Sequence, residues 1–322
     1  MTQKTILLFF LFVTGSYAQI KGCTDRLAKN FDPKATENNG SCEYASAKIK
    51  AEFSKKISDT ISETSGLIAF KNLLWTHNDN RDTTLYGLDQ KGQIKKKVSL
   101  QGLKNNDWEE ISQDSLYLYI GDFGNNYRGN RKDLRILRIE KNSVLSNTPV
   151  IDTIAFSYIN QTDFKVQKAN TTDFDCEAFL VTQSSIYLFT KQWKQNKTSV
   201  YMLPKNPGTH IAQLKETINV EGLITGATYS PSKKLIVLCG YSKTVQPFVY
   251  LLYDYKNSDF STGNKRKINI LLPFHQIEGI ATQDGLHYYV TNEALIKKPI
   301  LTIHQKIHLF DLKAYLESYL QH

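Results

Sequence analysis

At 322 residues and a formal charge of +9, the chain is long enough for one large domain with a sizeable core. Lysine and arginine are scattered in short groups (Lys95–Lys97, Arg131–Lys132, Lys233–Lys234, Lys297–Lys298), with no basic stripe carrying interleaved aromatics, which argues against a nucleic-acid partner. Lysines spread in this way serve solubility and block edge pairing of strands. Abundant Tyr and Phe, scarce Met and short clusters of β-branched residues favour strands over helices.

Residues 1–18 have the build of a secretory signal peptide: Lys4, the apolar run ILLFFLFV, then GSYA before Gln19. The apolar run is too short to cross a bilayer as a helix. Export to the periplasm or beyond is therefore expected. The alternative is an outer-membrane lipoprotein anchored through Cys23, against which Lys21 stands two places before the cysteine. In an oxidising compartment Cys23 and Cys42 read as a local disulfide. Residues 19–46 then form a stapled module or spacer ahead of a main domain, 47–322. Cys176 and Cys239 fall near the same end of neighbouring repeats, so either a second disulfide or two buried thiols is expected there.

The main domain is built on a repeated phrase, clearest in IEGIATQDGLHYYVTNE at residues 277–293. An acidic residue is followed by a small one, a short strand, a turn, and a second strand ending in polar side chains. It recurs as SGLIAFKNLLWTHND from Ser65, EEISQDSLYLYIGD from Glu109, EAFLVTQSSIYLFTK from Glu177 and TGATYSPSKKLIVLCGY from Thr225. Aligning Gly66, Glu110, Ala178, Gly226 and Gly279 gives intervals of 44, 68, 48 and 53 residues. Paired short strands repeating every ~40–50 residues are the signature of an all-β propeller. Each repeat extends to four strands except the last, whose third strand KIHLFDL is followed by a tail, KAYLESYLQH, that reads as a short helix. The segment KIKAEFSKKI, 48–57, is available as the missing strand. The reading is five four-stranded blades closed by an N-terminal strand, with six blades as the alternative. The long interval holds two polar loops, GDFGNNYRGNRKD and INQTDFKVQKANTTDFD, of the kind that carries function.

First strands of propeller blades line the central tunnel. One register position is therefore expected to form a ring of Ser65, Glu109, Glu177, Thr225 and Glu278. The far ends of the second strands bring Asn78, Asp79, Asp122, Lys191, Tyr241, Asn292 and Glu293 to the same mouth. Clustered carboxylates repel and raise one another's pKa unless a cation neutralises them, and oxygen ligands in this number suit Ca²⁺. Glu109, Glu177 and Glu278 are thus the expected metal ligands, and Asp79, Asp122, Lys191 and Glu293 the expected ligand-binding groups. His77 and His275 are candidate proton carriers. No nucleophile elbow, P-loop, HExxH or CxxC motif names a reaction.

The phrases SGL, EGIA and LYGLD look like those of exported bacterial propellers, and resemble the SdiA-regulated family and the phytase-like and esterase-like propellers. A more distant likeness is to calcium-dependent lactonases. The resemblance covers roughly residues 60–310 and implies a propeller with metal ligands at Glu109, Glu177, Glu278 and Asn292. Thr225 and Lys191 depart from that pattern. Separately, residues 22–44 resemble a small cysteine module of exported bacterial proteins, GCTD…GSCEY, with Asn38 and Asn39 where acidic residues are usual. Two functions follow as expectations. The first is an exported, monomeric propeller binding a small molecule or protein at its tunnel mouth with a calcium ion. The other is a calcium-dependent hydrolase of an ester, lactone or phosphoester.

Overall fold

The computed structural model describes residues 19–80 and 82–320; the expected signal peptide lies outside the described residues. The architecture is mostly β, built from four-stranded antiparallel meanders. The first runs through Thr64–Phe70, Leu73–Asn78, Thr84–Leu88 and Ile94–Ser99. The second comprises Trp108–Gln113, Tyr117–Asp122, Arg135–Glu140 and Ile151–Tyr158, and the third Cys176–Val181, Ser185–Thr190, Lys197–Pro204 and Gly208–Asn219. Their outermost strands pair in parallel, Ile154 opposite Gly208 through Tyr158 opposite Ala212, which merges these two meanders into one eight-stranded sheet.

The fourth meander, Leu223–Ser230, Leu235–Tyr241, Pro247–Tyr253 and Asn264–Ile270, gains Ala47–Ile49 as a parallel fifth strand. The last has three strands of its own, Ile277–Thr282, His287–Asn292 and Lys306–Asp311. Its fourth is Phe53–Lys56, antiparallel to Lys306–Asp311. The N-terminal segment thus divides its pairing between two sheets. The helix Lys313–Leu320 ends the described chain and buries Leu316.

Sequence pattern explains each strand's place. Second strands are near-continuous apolar runs because both faces are covered: every residue of Leu235–Tyr241 is buried. Outer strands alternate, as in Asn264–Ile270, since one face is less covered. The core is divided among the contacts between meanders. Tyr119, Phe123 and Ile136 pack with Phe179 and Leu188 between the second and third, and Phe189 and Val200 with Ile236 and Phe248 between the third and fourth. Leu67, Leu74 and Tyr86 meet Ala281, Tyr289 and Ile307 between the first and last, so the packing returns to its start. The first strands contact one another in the same cyclic order. The result is a propeller-like ring with those first strands around its axis.

Cys23 and Cys42 form a disulfide. Cys176 and Cys239 are buried free thiols; the Cys176 Sγ–H points to the carbonyls of Ala178 and Phe189 within its own meander. The segment around the Cys23–Cys42 disulfide packs on the fourth meander. The Asp25 carboxylate accepts from Tyr44 and Tyr253 hydroxyls at 2.7 and 2.6 Å, and Asn38 Nδ2 donates to Asp254 Oδ2 and Asn264 Oδ1 at 2.8 and 2.9 Å. Asn38, noted in the sequence for lacking a charge, is spent on this contact. Among the described residues no helix is long and apolar enough to cross a membrane.

Candidate functional site

Each first strand carries an irregularity where the repeat places its ring residue. Pairing jumps past Glu109, with Gly121 opposite Glu110 and Asp122 opposite Trp108. It jumps past Glu177 between Cys176 and Ala178, past Thr225 between Ile224 and Gly226, and past Glu278 between Ile277 and Gly279. In the first meander the jump lies just after Ser65. A bulge leaves the extra residue without a ladder partner and re-aims its side chain. Here it turns Glu109, Glu177 and Glu278 to the wall of one cavity of ≈ 190 Å³, which Ser65, paired with His77, also lines.

The hydroxyl members of the ring serve another purpose as well. Ser65 Oγ donates to the Glu109 carbonyl and Thr225 Oγ1 to the Ile277 carbonyl, each joining two adjacent first strands. Thr225 does not line the cavity. Small residues next to the ring let these strands approach. At Gly66, with φ +66°, a Cβ would meet Ile111 N at 2.5 Å, and at Gly279 it would come within 2.8 Å of Gly66 backbone.

Second-strand ends add Asp79, Lys191, Tyr241 and Glu293 to the cavity wall. Asp122 is turned away, its two oxygens taken by Arg131 at 2.9 Å and Arg135 at 2.8 Å. Asn292 also lies outside: its Nδ2 donates to the carbonyls of Glu293 and His304, and its Oδ1 sits 2.8 Å from His308 Nε2. His77 is fully buried, donating from Nδ1 to the Asn78 carbonyl and set edge-on to Trp108. Burial pushes its pKa down to about 4. His275 donates from Nδ1 to the Pro273 carbonyl and packs on His308. Neither histidine lines the cavity.

Residues outside the expected set of site residues complete the site. Asp107 precedes the second meander, Asn126 and Asn170 come from the two polar loops, and Trp193 and Gln276 follow or precede strands. The loops are tied together by the Asn170 N–H donating to the Asn126 carbonyl at 2.8 Å. The Gly/Asn content of the first loop and the length of the second were the available signal; Asp107 had none, since it lies outside the repeated phrase.

Electrostatically the cavity is crowded with acid. Six carboxylates line it, Asp79, Asp107, Glu109, Glu177, Glu278 and Glu293, against one ammonium, Lys191. Lys191 and Glu177, each 3 % exposed, pair at 2.9 Å. The lysine ammonium also lies 4.6 Å from the Trp193 ring centre and 5.2 Å from that of Tyr241. Burial alone would pull its pKa down, but the negative charges of Glu177 and Glu278 hold it above the usual value. Burial, then repulsion from neighbouring acids, raises Asp79 to about 8 and Glu109 well above the usual range. Burial leads in Asp107, raised to about 6, and in Glu293, raised to about 7, with Glu177 repelling both. Glu278 is raised by burial despite Lys191. Glu109 and Glu278, each 7 % exposed, accept no hydrogen bond from the described protein groups, and Asp79 Oδ1 is buried without a partner.

Next to Glu109 on the same strand is a carboxylate outside the cavity lining, Glu110, which is fully buried. It accepts from Ile111 N at 2.9 Å, from Ala227 N across the axis at 2.7 Å, and from Leu67 N. It therefore ties three first strands together; a separate hollow is lined by Ser112, Thr228 and Thr282.

No protein-family model matches the chain and no curated protein matches it in sequence. Among solved structures, it is similar to a streptogramin B lyase, with 11 % identity, TM-score 0.40, and 81 % of this chain and 86 % of that one covered. It is similar also to a chain of the mitotic checkpoint complex, with 10 % identity, TM-score 0.40, and coverage of 84 % and 97 %.

Proposed function

We propose that this chain is an exported five-bladed β-propeller, residues 47–322, preceded by a docked cysteine module at 19–46, which binds a positively charged ligand at its tunnel mouth. One observation carries the reading: bulged first strands, second-strand ends and the segment before the second meander together send six carboxylates into one cavity that contains a single lysine. Unneutralised carboxylates at this density raise one another's free energy. A cation relieves that repulsion, so affinity for one follows from the fold's own strain.

Calcium is the inorganic candidate. The donors are hard oxygens, as Ca²⁺ requires, with Glu109, Glu278 and Glu293 as its holders; bound there, it would supply positive charge and polarise a ligand oxygen. Lys191 already neutralises Glu177. Among the described residues no three His, Cys, Asp or Glu side chains stand close enough to hold one metal ion as placed, so calcium binding requires the glutamates to close in. Binding is preferred to hydrolysis because both candidate histidines are packed away from the cavity.

The test is thermal melting of the mature protein against CaCl₂ and small amines, with EDTA as control. A cation-dependent rise in Tm that disappears in Glu109→Gln and Glu278→Gln supports the site. Melting that ignores every cation from pH 6 to 9 overturns it.

A further inference from the structure

Resting on that cation-site reading, we propose that the ligand is a small organic polyammonium ion, two or more protonated amines on a short carbon chain. The arrangement of charge is the first reason. With Glu177 paired to Lys191, the remaining cavity carboxylates are Asp79, Asp107, Glu109, Glu278 and Glu293. They come from the first, second and last meanders and ring a volume instead of converging on a point. A monatomic ion serves only the oxygens within about 2.3–2.6 Å of it and leaves the others repelling across the cavity. Two ammonium groups a few carbons apart reach separate carboxylates. Glu109 and Glu278, nine-tenths buried and without protein donors, are the free acceptors that such N–H groups satisfy.

The second reason is that one wall already recognises an alkylammonium. Lys191 presents its own to a carboxylate and to two aromatic faces, Trp193 and Tyr241. Carboxylate plus ring face is the chemistry by which proteins hold organic cations. Asn126, Asn170 and Gln276 line the same cavity and offer amide oxygens to further N–H donors. A cavity of ≈ 190 Å³ has room for a short diamine. The chain as a whole carries +9, so non-specific attraction of a polycation to its surface is disfavoured.

The experiment is calorimetric titration of the mature protein at pH 8 with 1,4-diaminobutane, with n-butylamine and CaCl₂ titrated separately. Diaminobutane should bind at least tenfold more tightly than butylamine, and Glu109→Gln and Glu278→Gln should each weaken it tenfold or more. Asp107→Asn is a second variant should either glutamine variant fail to fold by circular dichroism, and it should weaken diaminobutane likewise. Equal affinity for the two amines, or binding unchanged in folded variants, overturns the polyammonium assignment. Calcium binding without diamine binding also overturns it, while leaving the cation site standing. Absence of binding by all three removes the cation site and this assignment together.

Discussion

Asp107, Glu293 and Asp79 show what the cavity costs the fold. Their pKa values, about 6, about 7 and about 8, all lie above the ordinary carboxylate range, chiefly through burial and then through neighbouring acids. The folded state therefore holds protons that the unfolded chain has already released. This stabilisation is fully present below about pH 4 and is lost as pH rises through the folded values. Tm should fall steadily between pH 5.5 and 8.5 without ligand, and Asp79→Asn or Glu293→Gln should flatten the decline. Scanning calorimetry across that range checks the sign; a Tm that rises with pH contradicts the assignment of these protons. Because the carboxylates interact, the midpoints read out belong to the cluster and not to single residues.

Among the elements, the bulged first strand is the unit that turns sequence into site. Its extra residue faces the cavity in three meanders, at Glu109, Glu177 and Glu278, while the Ser65 and Thr225 hydroxyls tie neighbouring first strands together. In the second meander those two tasks fall to neighbours, Glu109 and Glu110. Truncating Glu110 to Ala leaves the N–H groups of Ala227 and Leu67 buried without acceptors. Each orphaned group costs about 1–3 kcal/mol, so Glu110→Ala should lower unfolding free energy by roughly 3 kcal/mol or more. Urea denaturation measures this, and a loss below ~1 kcal/mol would show that water replaces the carboxylate. The alternation of small residue and ring residue was legible in the sequence. The bulges were not, because a two-residue-against-one pairing depends on a partner strand whose register the repeat phrase does not specify.

The whole molecule is held closed from its N-terminal end. Phe53–Lys56 supplies the last strand of the final meander, and Ala47–Ile49 is added beside the fourth. The disulfide-linked segment ahead of them then rests on Tyr253, Asp254 and Asn264. Cross-linking a loop with sequence separation 19 is worth about 3 kcal/mol in the chain-entropy account. Replacing Cys23 and Cys42 by Ser should therefore lower stability by about that amount while leaving the cavity's affinity intact. Deleting residues 19–57 should instead expose the edge at Lys306–Asp311 and produce aggregation. Chemical denaturation and size-exclusion chromatography separate the two. A deletion variant that stays monodisperse and unfolds cooperatively would show that the strand is dispensable.

The sequence by itself determined the all-β character, the repeat, the cysteine pair and five of the six acidic positions that line the cavity, all but Asp107. These are periodic or local properties: strand alternation, turn chemistry and oxidation compartment act over a few tens of residues. Tertiary structure alone decided which acids reach the cavity. Asp122 is withdrawn because Arg131 and Arg135 fold back onto both its oxygens, and Asn292 because the His304 carbonyl and His308 engage its amide. Asp107 enters from outside the repeat, and Thr225 spends its hydroxyl on a neighbouring strand. The partners that withdraw Asp122 and Asn292 stand on the next strand or loop of the same meander, brought opposite them by a strand register that the repeated phrase does not specify.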